Sequence, residues 1–311
     1  MLAVNACELT RVGPLVEMED RMRIANLTGR AVLLADARAL DVERASGGRF
    51  GADPQSVWND WAAFRAWAGS IDPAAHPDSA AFDPVDLGAP VPRPSQVFGV
   101  GLNYADHAAE SKMELPEHPL VFTKFPSSLT GPAVTVRLSG DRVDWEAELV
   151  AVIGRGGRDI RQSNGWDAVA GLTVGQDLSD RTVQSWGKPA QFNLGKSFPG
   201  YAPTGPAVVT LDEVRAAADP DALGITCRIA DAEGGVFRTL QDGTSRDMIF
   251  KVPRLVAELS AIVELLPGDL IFTGTPSGVG MGRDPQIFLT PGQCMVTEIE
   301  ALGTIEQRFV A

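Results

Sequence analysis

Two glutamates one residue apart open the reading, in the run Asp144-Trp145-Glu146-Ala147-Glu148-Leu149-Val150-Ala151-Val152-Ile153. Side chains of a β-strand alternate, so as a strand this segment puts Glu146 and Glu148 on one face with Val150 and Val152. Trp145, Leu149 and Ile153 take the other face. Both faces are then largely apolar, and two carboxylates about 7 Å apart on such a face need a compensating charge. A divalent cation supplies it, and ligands that are all oxygen favour Mg²⁺, Mn²⁺ or Ca²⁺ over Zn²⁺. Two ordinary glutamates on a solvated strand face are the competing explanation.

Further along lie other reactive side chains. In Asn103-Tyr104-Ala105-Asp106-His107-Ala108-Ala109-Glu110, a helix places His107 and Glu110 at i and i+3, on one face. A carboxylate bonded to an imidazole raises its basicity, the arrangement a water-activating base requires; a solvated His–Glu pair has the same spacing. The chain holds three histidines, and His76 and His118 sit in proline-rich surroundings. Asp177 closes an apolar run and is placed as a third metal ligand or as a helix cap, while Arg181 and Gln184 are donors suited to a substrate carboxylate. Lysine is scarce: five of the 27 basic residues, with none before Lys112. Lys196 stands close to glycines on both sides, in Gly195-Lys196-Ser197-Phe198-Pro199-Gly200, where backbone approaches a ligand closely. Neither this segment nor Gly274-Thr275-Pro276-Ser277-Gly278-Val279-Gly280 has Walker or dinucleotide-binding spacing, and no G-x-S-x-G elbow occurs.

The elements that must carry these residues are mostly strands. Short β-type runs are read over 97–101, 120–124, 133–138, 145–153, 171–177, 207–211, 225–230, 270–273 and 295–299. Helices are read over 103–112, 162–170 and 252–265, and one from Pro54 capped by Asp53, with Val57, Trp58, Trp61, Phe64, Trp67 and Ala68 at core-facing spacing. Strands and helices do not alternate regularly. The pattern therefore predicts an α+β, mainly β, chain of mixed β-roll or sandwich type rather than a parallel α/β fold. Six prolines between Asp72 and Gln96 mark an extended connector. It separates a small N-terminal α+β region (1–94) from a catalytic domain (95–311).

Forty acidic against 27 basic residues leave a formal charge of −13. That field repels phosphate backbones and argues against nucleic-acid binding. Cys7, Cys227 and Cys294 have neither metal nor redox spacing and read as reduced thiols. The N-terminus lacks a signal-peptide pattern and apolar runs are strand-sized, so no membrane partner and a cytoplasmic location are expected.

In order along the chain, FGVGLNYADHAAES, DWEAELVAVIG, AGLTVGQDLSDRTVQ, GKSFPGYAPTGP and GDLIFTGTPSGVG resemble the fumarylacetoacetate hydrolase superfamily, acylpyruvase and heptadienedioate isomerase-like branch. The resemblance runs from about Val97 to the C-terminus. It implies one Mg²⁺ or Mn²⁺ per chain on Glu146, Glu148 and Asp177, and catalytic roles for His107, Glu110 and Lys196. It also implies substrate contacts from Tyr104, Arg181, Gln184 and Thr275, and a homodimer.

The implied chemistry is C–C cleavage of an acylpyruvate or 1,3-diketo acid by water. Lys196 stabilises enolate charge in this scheme, and His107, oriented by Glu110, activates the water. Oxaloacetate decarboxylation and keto–enol or double-bond isomerisation of catechol-pathway 2-oxo diacids use the same enolate and stand as alternatives; a non-catalytic metal-stabilised binding protein is more remote. Residues 103–119, polar and bounded by Pro116 and Pro119, are expected to form a lid ordered by ligand.

Overall fold

A computed structural model describes residues 22–110, 115–231 and 235–311. In chain order the main strands are β1 (Arg23–Leu27), β2 (Arg30–Ala35), β3 (Arg38–Asp41), β4 (Val97–Gly101), β5 (Leu120–Thr123), β6 (Ala133–Arg137) and β7 (Ala147–Ile153). They continue as β8 (Val169–Gln176), β9 (Ala202–Thr210), β10 (Gly224–Ala230), β11 (Arg238–Thr244), β12 (Leu270–Phe272), β13 (Cys294–Ile299) and β14 (Gly303–Val310). The helices that matter below are α1 (Trp61–Ala68), α2 (Ala105–Glu110), α3 (Arg181–Gln184) and α4 (Val252–Ile262). The described residues thus form a mainly β, α+β molecule, as the strand-rich pattern predicts.

The larger sheet runs β3-β2-β1-β9-β8-β7-β12-β4-β5, and the smaller runs β11-β10-β13-β14-β6. The β7 strand lies inside the first and every residue of it is buried. Its two apolar faces serve two cores. Ala147, Leu149, Ala151 and Ile153 pack with Ile225, Cys227, Ile229, Met295, Phe309 and the apolar side of α4. Val150 and Val152 pack the opposite way, with Ile24, Leu33, Trp58, Phe64, Val208 and Phe272. Burial of this kind contributes about 1.5–3 kcal/mol for each large apolar side chain. A strand apolar on both faces is thereby obliged to be central.

Residues before Pro94 contribute the antiparallel β1–β3 meander, and β1 joins the same sheet by pairing Arg23 with Val209 of β9. One expected helix is divided. Asp53 caps a 3₁₀ turn, Pro54–Trp58, by accepting from Gln55 N, and Asp60 then starts α1 by accepting from Ala63 N at 3.1 Å. A second capping side chain within the tryptophan stripe ends one helical segment and begins another. The aromatic stripe still faces inward, and Phe50, Phe64, Trp61 and Trp67 meet ring to ring.

Candidate active site

Antiparallel pairing of β7 with β8 sets Ala147 against Gln176 and Glu148 against Gly175. Asp177 therefore arrives beside Glu146, and its N–H donates to the Glu146 carbonyl at 2.9 Å. Glu148 projects from the Val150 face of β7, as the alternation predicts. A Cβ on Gly175, its cross-strand partner, would stand 2.5 Å from Val150 Cγ2 and 2.8 Å from the Phe272 ring. Glycine there lets the strands close under the carboxylates. Oxygens of Glu146, Glu148 and Asp177 converge within 4.8 Å of one another, all three residues buried.

Cations surround this cluster. Lys196 Nζ donates to Glu146 Oε2 at 2.7 Å and to Asp177 Oδ2 at 2.6 Å. Arg181 donates from Nη2 to Glu146 Oε1 (2.7 Å), from Nε to Asp144 Oδ2 (2.9 Å) and from Nη1 to Gln184 Oε1 (2.9 Å). Asp180, not Asp177, is the helix cap: it accepts from Thr182 N and Val183 N and starts the single-turn α3 that carries Arg181 and Gln184. Among the described residues Glu148 has no lysine or arginine partner of this sort, and it accepts from Gly274 N at 2.8 Å. Gly274 adopts φ +95°, and a Cβ there would stand 2.8 Å from Asn103 Cβ. The turn after β12 thus requires glycine to bring its N–H to Glu148.

The proton affinities follow. Burial works to raise the Glu146 carboxyl, but the Lys196 and Arg181 cations outweigh it and hold the group well below the usual carboxylate range. Glu148 goes the other way, pushed up by burial and by the Asp177 and Glu146 charges. Lys196 loses ground to burial but is raised overall by Asp177 and Glu146. A cation among the three carboxylates relieves what burdens Glu148. The donor set suits one: three buried carboxylates converge, and each offers a hard oxygen of the kind Mg²⁺ and Mn²⁺ take. Glu146, Glu148 and Asp177 would hold that ion.

Among the other anticipated residues, His107 is buried at the first turn of α2, near enough for its charge to act on Glu146. The Glu110 side chain lies outside the described residues, so the dyad is not described. Tyr104 is fully buried, its hydroxyl without a hydrogen-bond partner among the described residues, and the charges of Glu148 and Asp106 reach it. Thr275 is buried; its hydroxyl donates to Ala147 O at 2.9 Å and accepts from Gln241 Nε2 at 2.7 Å.

The segment expected to be a lid is anchored at its start. Asn103 donates to Phe250 O and Thr273 O, and Asp106 accepts from Ser277 N and Oγ. Residues 111–114 of that segment lie outside the described residues.

Two residues were not anticipated. Lys124 is buried, donating to Asp177 Oδ1 at 2.5 Å and to the Lys196 carbonyl. Asp144 receives Arg181 and the N–H groups of Gly280 and Met281. Lysine scarcity was the available signal for Lys124, and for Asp144 it was the place at the head of the motif DWEAELVAVIG.

A mixed β fold whose paired strands gather three buried carboxylates, ringed by lysine and arginine, offers a site that could hold a divalent cation. Residues 96–310 match the family model of the fumarylacetoacetate (FAA) hydrolase C-terminal domain. The chain belongs to this family. It is 44% identical over 224 residues to human oxaloacetate tautomerase FAHD2A, mitochondrial, covering 71% of this chain and 68% of that protein. A structure assigned as an HpcE protein from Mycobacterium smegmatis superposes with TM-score 0.85 at 49% identity, covering 93% of this chain and 99% of that one. Maleylpyruvate hydrolase from Sphingobium sp. SYK-6, solved with manganese(II) and pyruvate, is similar at TM-score 0.72 and 25% identity, with 93% and 99% covered. No helix among the described residues is long and apolar enough to cross a membrane.

Proposed function

We propose that this chain is a Mg²⁺- or Mn²⁺-dependent enzyme that forms the enol or enolate of a small 2-oxo acid, with keto–enol tautomerisation of a 2-oxo diacid as its first reaction. The observation that carries this reading is the convergence of Glu146, Glu148 and Asp177 within 4.8 Å, with Lys196 bonded to two of them. Four carboxylates (these three and Asp144) face three cations, Lys124, Lys196 and Arg181. A divalent ion reverses that balance and makes the site attractive to a carboxylate substrate, and it would stabilise negative charge on an enolate oxygen.

The chain's own groups supply the rest. Lys196 lends positive charge where the oxyanion develops. His107 takes the proton that leaves the carbon beside the keto group and returns it to oxygen. Gln184, held by Arg181, and the Tyr104 and Thr275 hydroxyls bind and orient substrate. The 44% identity to a tautomerase supports this order of readings.

Hydrolysis of a C–C bond, first in order from the motifs alone, becomes the second reading. The buried His107 beside Glu146 favours it, because the same imidazole can take a proton from water. Decarboxylation of oxaloacetate needs neither step. The test is a metal-stripped protein assayed with Mg²⁺ or Mn²⁺ restored. We expect accelerated enol-to-keto conversion of oxaloacetate by ultraviolet absorbance, with acetylpyruvate cleavage as the parallel assay. Equal rates with chelator and with metal, for both substrates, would sink the proposal.

A further inference from the structure

The backbone of Glu146 departs from the regular strand ladder. A regular antiparallel pair would exchange two hydrogen bonds between Glu146 and Asp177. Only one is made: Asp177 N–H reaches Glu146 O, whereas Glu146 N–H is diverted to the side-chain oxygen of Gln176 at 3.0 Å. The next amide, Ala147 N–H, goes to the side-chain oxygen of Gln241 at 2.9 Å. Two side chains thus replace the ladder where the first metal ligand leaves it.

Neither amide is free to turn. Gln176 Nε2 donates to Thr297 Oγ1 at 2.7 Å and lies 3.6 Å from Cys227 Sγ; both partners belong to the smaller sheet. Gln241 belongs to β11 and donates to Thr275 Oγ1 at 2.7 Å and Pro276 O at 2.8 Å. Gln176, Gln241 and Thr297 are all buried. The β11 strand is also pressed onto the 274–278 loop. A Cβ on Gly278 would stand 2.3 Å from Leu240 O, and one on Gly243 would stand 2.6 Å from Pro276 Cβ. A side chain from the larger sheet reaches into the smaller one, and another reaches back, with the Glu146 peptide between them.

We infer that Gln176 and Gln241 are positioning residues that clasp the backbone of Glu146 and thereby set the affinity of the carboxylate cluster for a divalent cation. The inference rests on the metal reading above. Partners one shell out from a metal typically change its affinity 10–100-fold when removed. Here they act on the ligand's backbone and leave its carboxylate chemistry untouched.

Binding of Mn²⁺ alone, followed by electron paramagnetic resonance and calorimetry without substrate, separates the possibilities. Gln241→Met and Gln176→Met should each weaken Mn²⁺ about 10–100-fold. Thr297→Val removes an acceptor of the Gln176 amide from a residue that does not touch the carboxylates. It should weaken Mn²⁺ several-fold with a native circular dichroism spectrum, and it decides the matter if the glutamine variants do not fold. Folded variants that bind Mn²⁺ as the natural chain does would overturn the inference while leaving the metal site standing. A natural chain that binds no Mn²⁺ would overturn the metal reading itself.

Discussion

Lys196 is the residue on which charge balance at the site turns. Its ammonium is shared between Glu146 and Asp177, and burial makes it costly to leave that charge unpaired. Lys196→Met should lower kcat and kcat/KM together, by on the order of 10²–10³. Steady-state kinetics at saturating Mn²⁺ check it, and a change confined to KM would make Lys196 a simple binding group.

Cys227 illustrates a different consequence of burial. Burial beneath the site outweighs the nearby Thr297 and Gln176 side chains, so its thiol is pushed up to about 12 from an ordinary 9.0. The folded chain therefore holds that proton where an unfolded chain would release it. The stabilisation is complete below pH 9 and is lost as pH rises through the folded value. Thermal unfolding from pH 8 to 11 should show this alkaline loss, and Cys227→Ala should flatten it. Iodoacetamide at pH 8 should leave Cys227 unmodified in the native chain and label it in denaturant, as peptide mapping will report.

At the scale of elements, α2 is six residues long and cannot hold itself together in water. One of its attachments is the Asp106 carboxylate, which accepts from both Ser277 N and Ser277 Oγ (2.7 Å), joining the His107 turn to the glycine-rich loop after β12. Asp106→Ala should loosen the turn that carries His107 toward Glu146. We expect a loss of about tenfold in kcat with little change in Mn²⁺ affinity or melting temperature, because the bond is exposed and modest in worth. A fall in melting temperature with unchanged kcat would show the contact to be purely structural.

Across the whole molecule, β5 ends the larger sheet, and Leu120, Val121 and Phe125 stand exposed at that edge. An edge strand with apolar side chains is a liability unless another surface covers it. A homodimer, implied by the resemblance of the motifs, remains our proposal for what covers it. Sedimentation at micromolar concentration should give twice the 33.0 kDa chain mass. A monomer there would refute the dimer and leave the site argument untouched. The cytoplasmic location is likewise a proposal, and the human relative carries the word mitochondrial in its name.

Much of this was legible in one dimension because the relevant physics is local. Alternation placed Glu148 on the face of Val150 and Val152, and the two-sided apolar pattern of 145–153 required a central strand. Motifs in a fixed order marked Asp177, Arg181, Gln184 and Lys196 as companions of the glutamates. What the chain alone left open was every relation that depends on a distant partner. The strand at 238–244 is mostly polar and that at 303–310 buries alternate residues, a pattern only the smaller sheet explains, and β1 to β3 gain their place by pairing with a strand some 180 residues later. Lys124 and Gln241 stand outside the quoted motifs, while Asp144 and Gln176 lie inside them without a local sign of the partner each meets. They matter because strand register and sheet packing bring their polar atoms to Asp177, Arg181, Glu146 and Ala147, and a buried polar atom is decided by what folds against it.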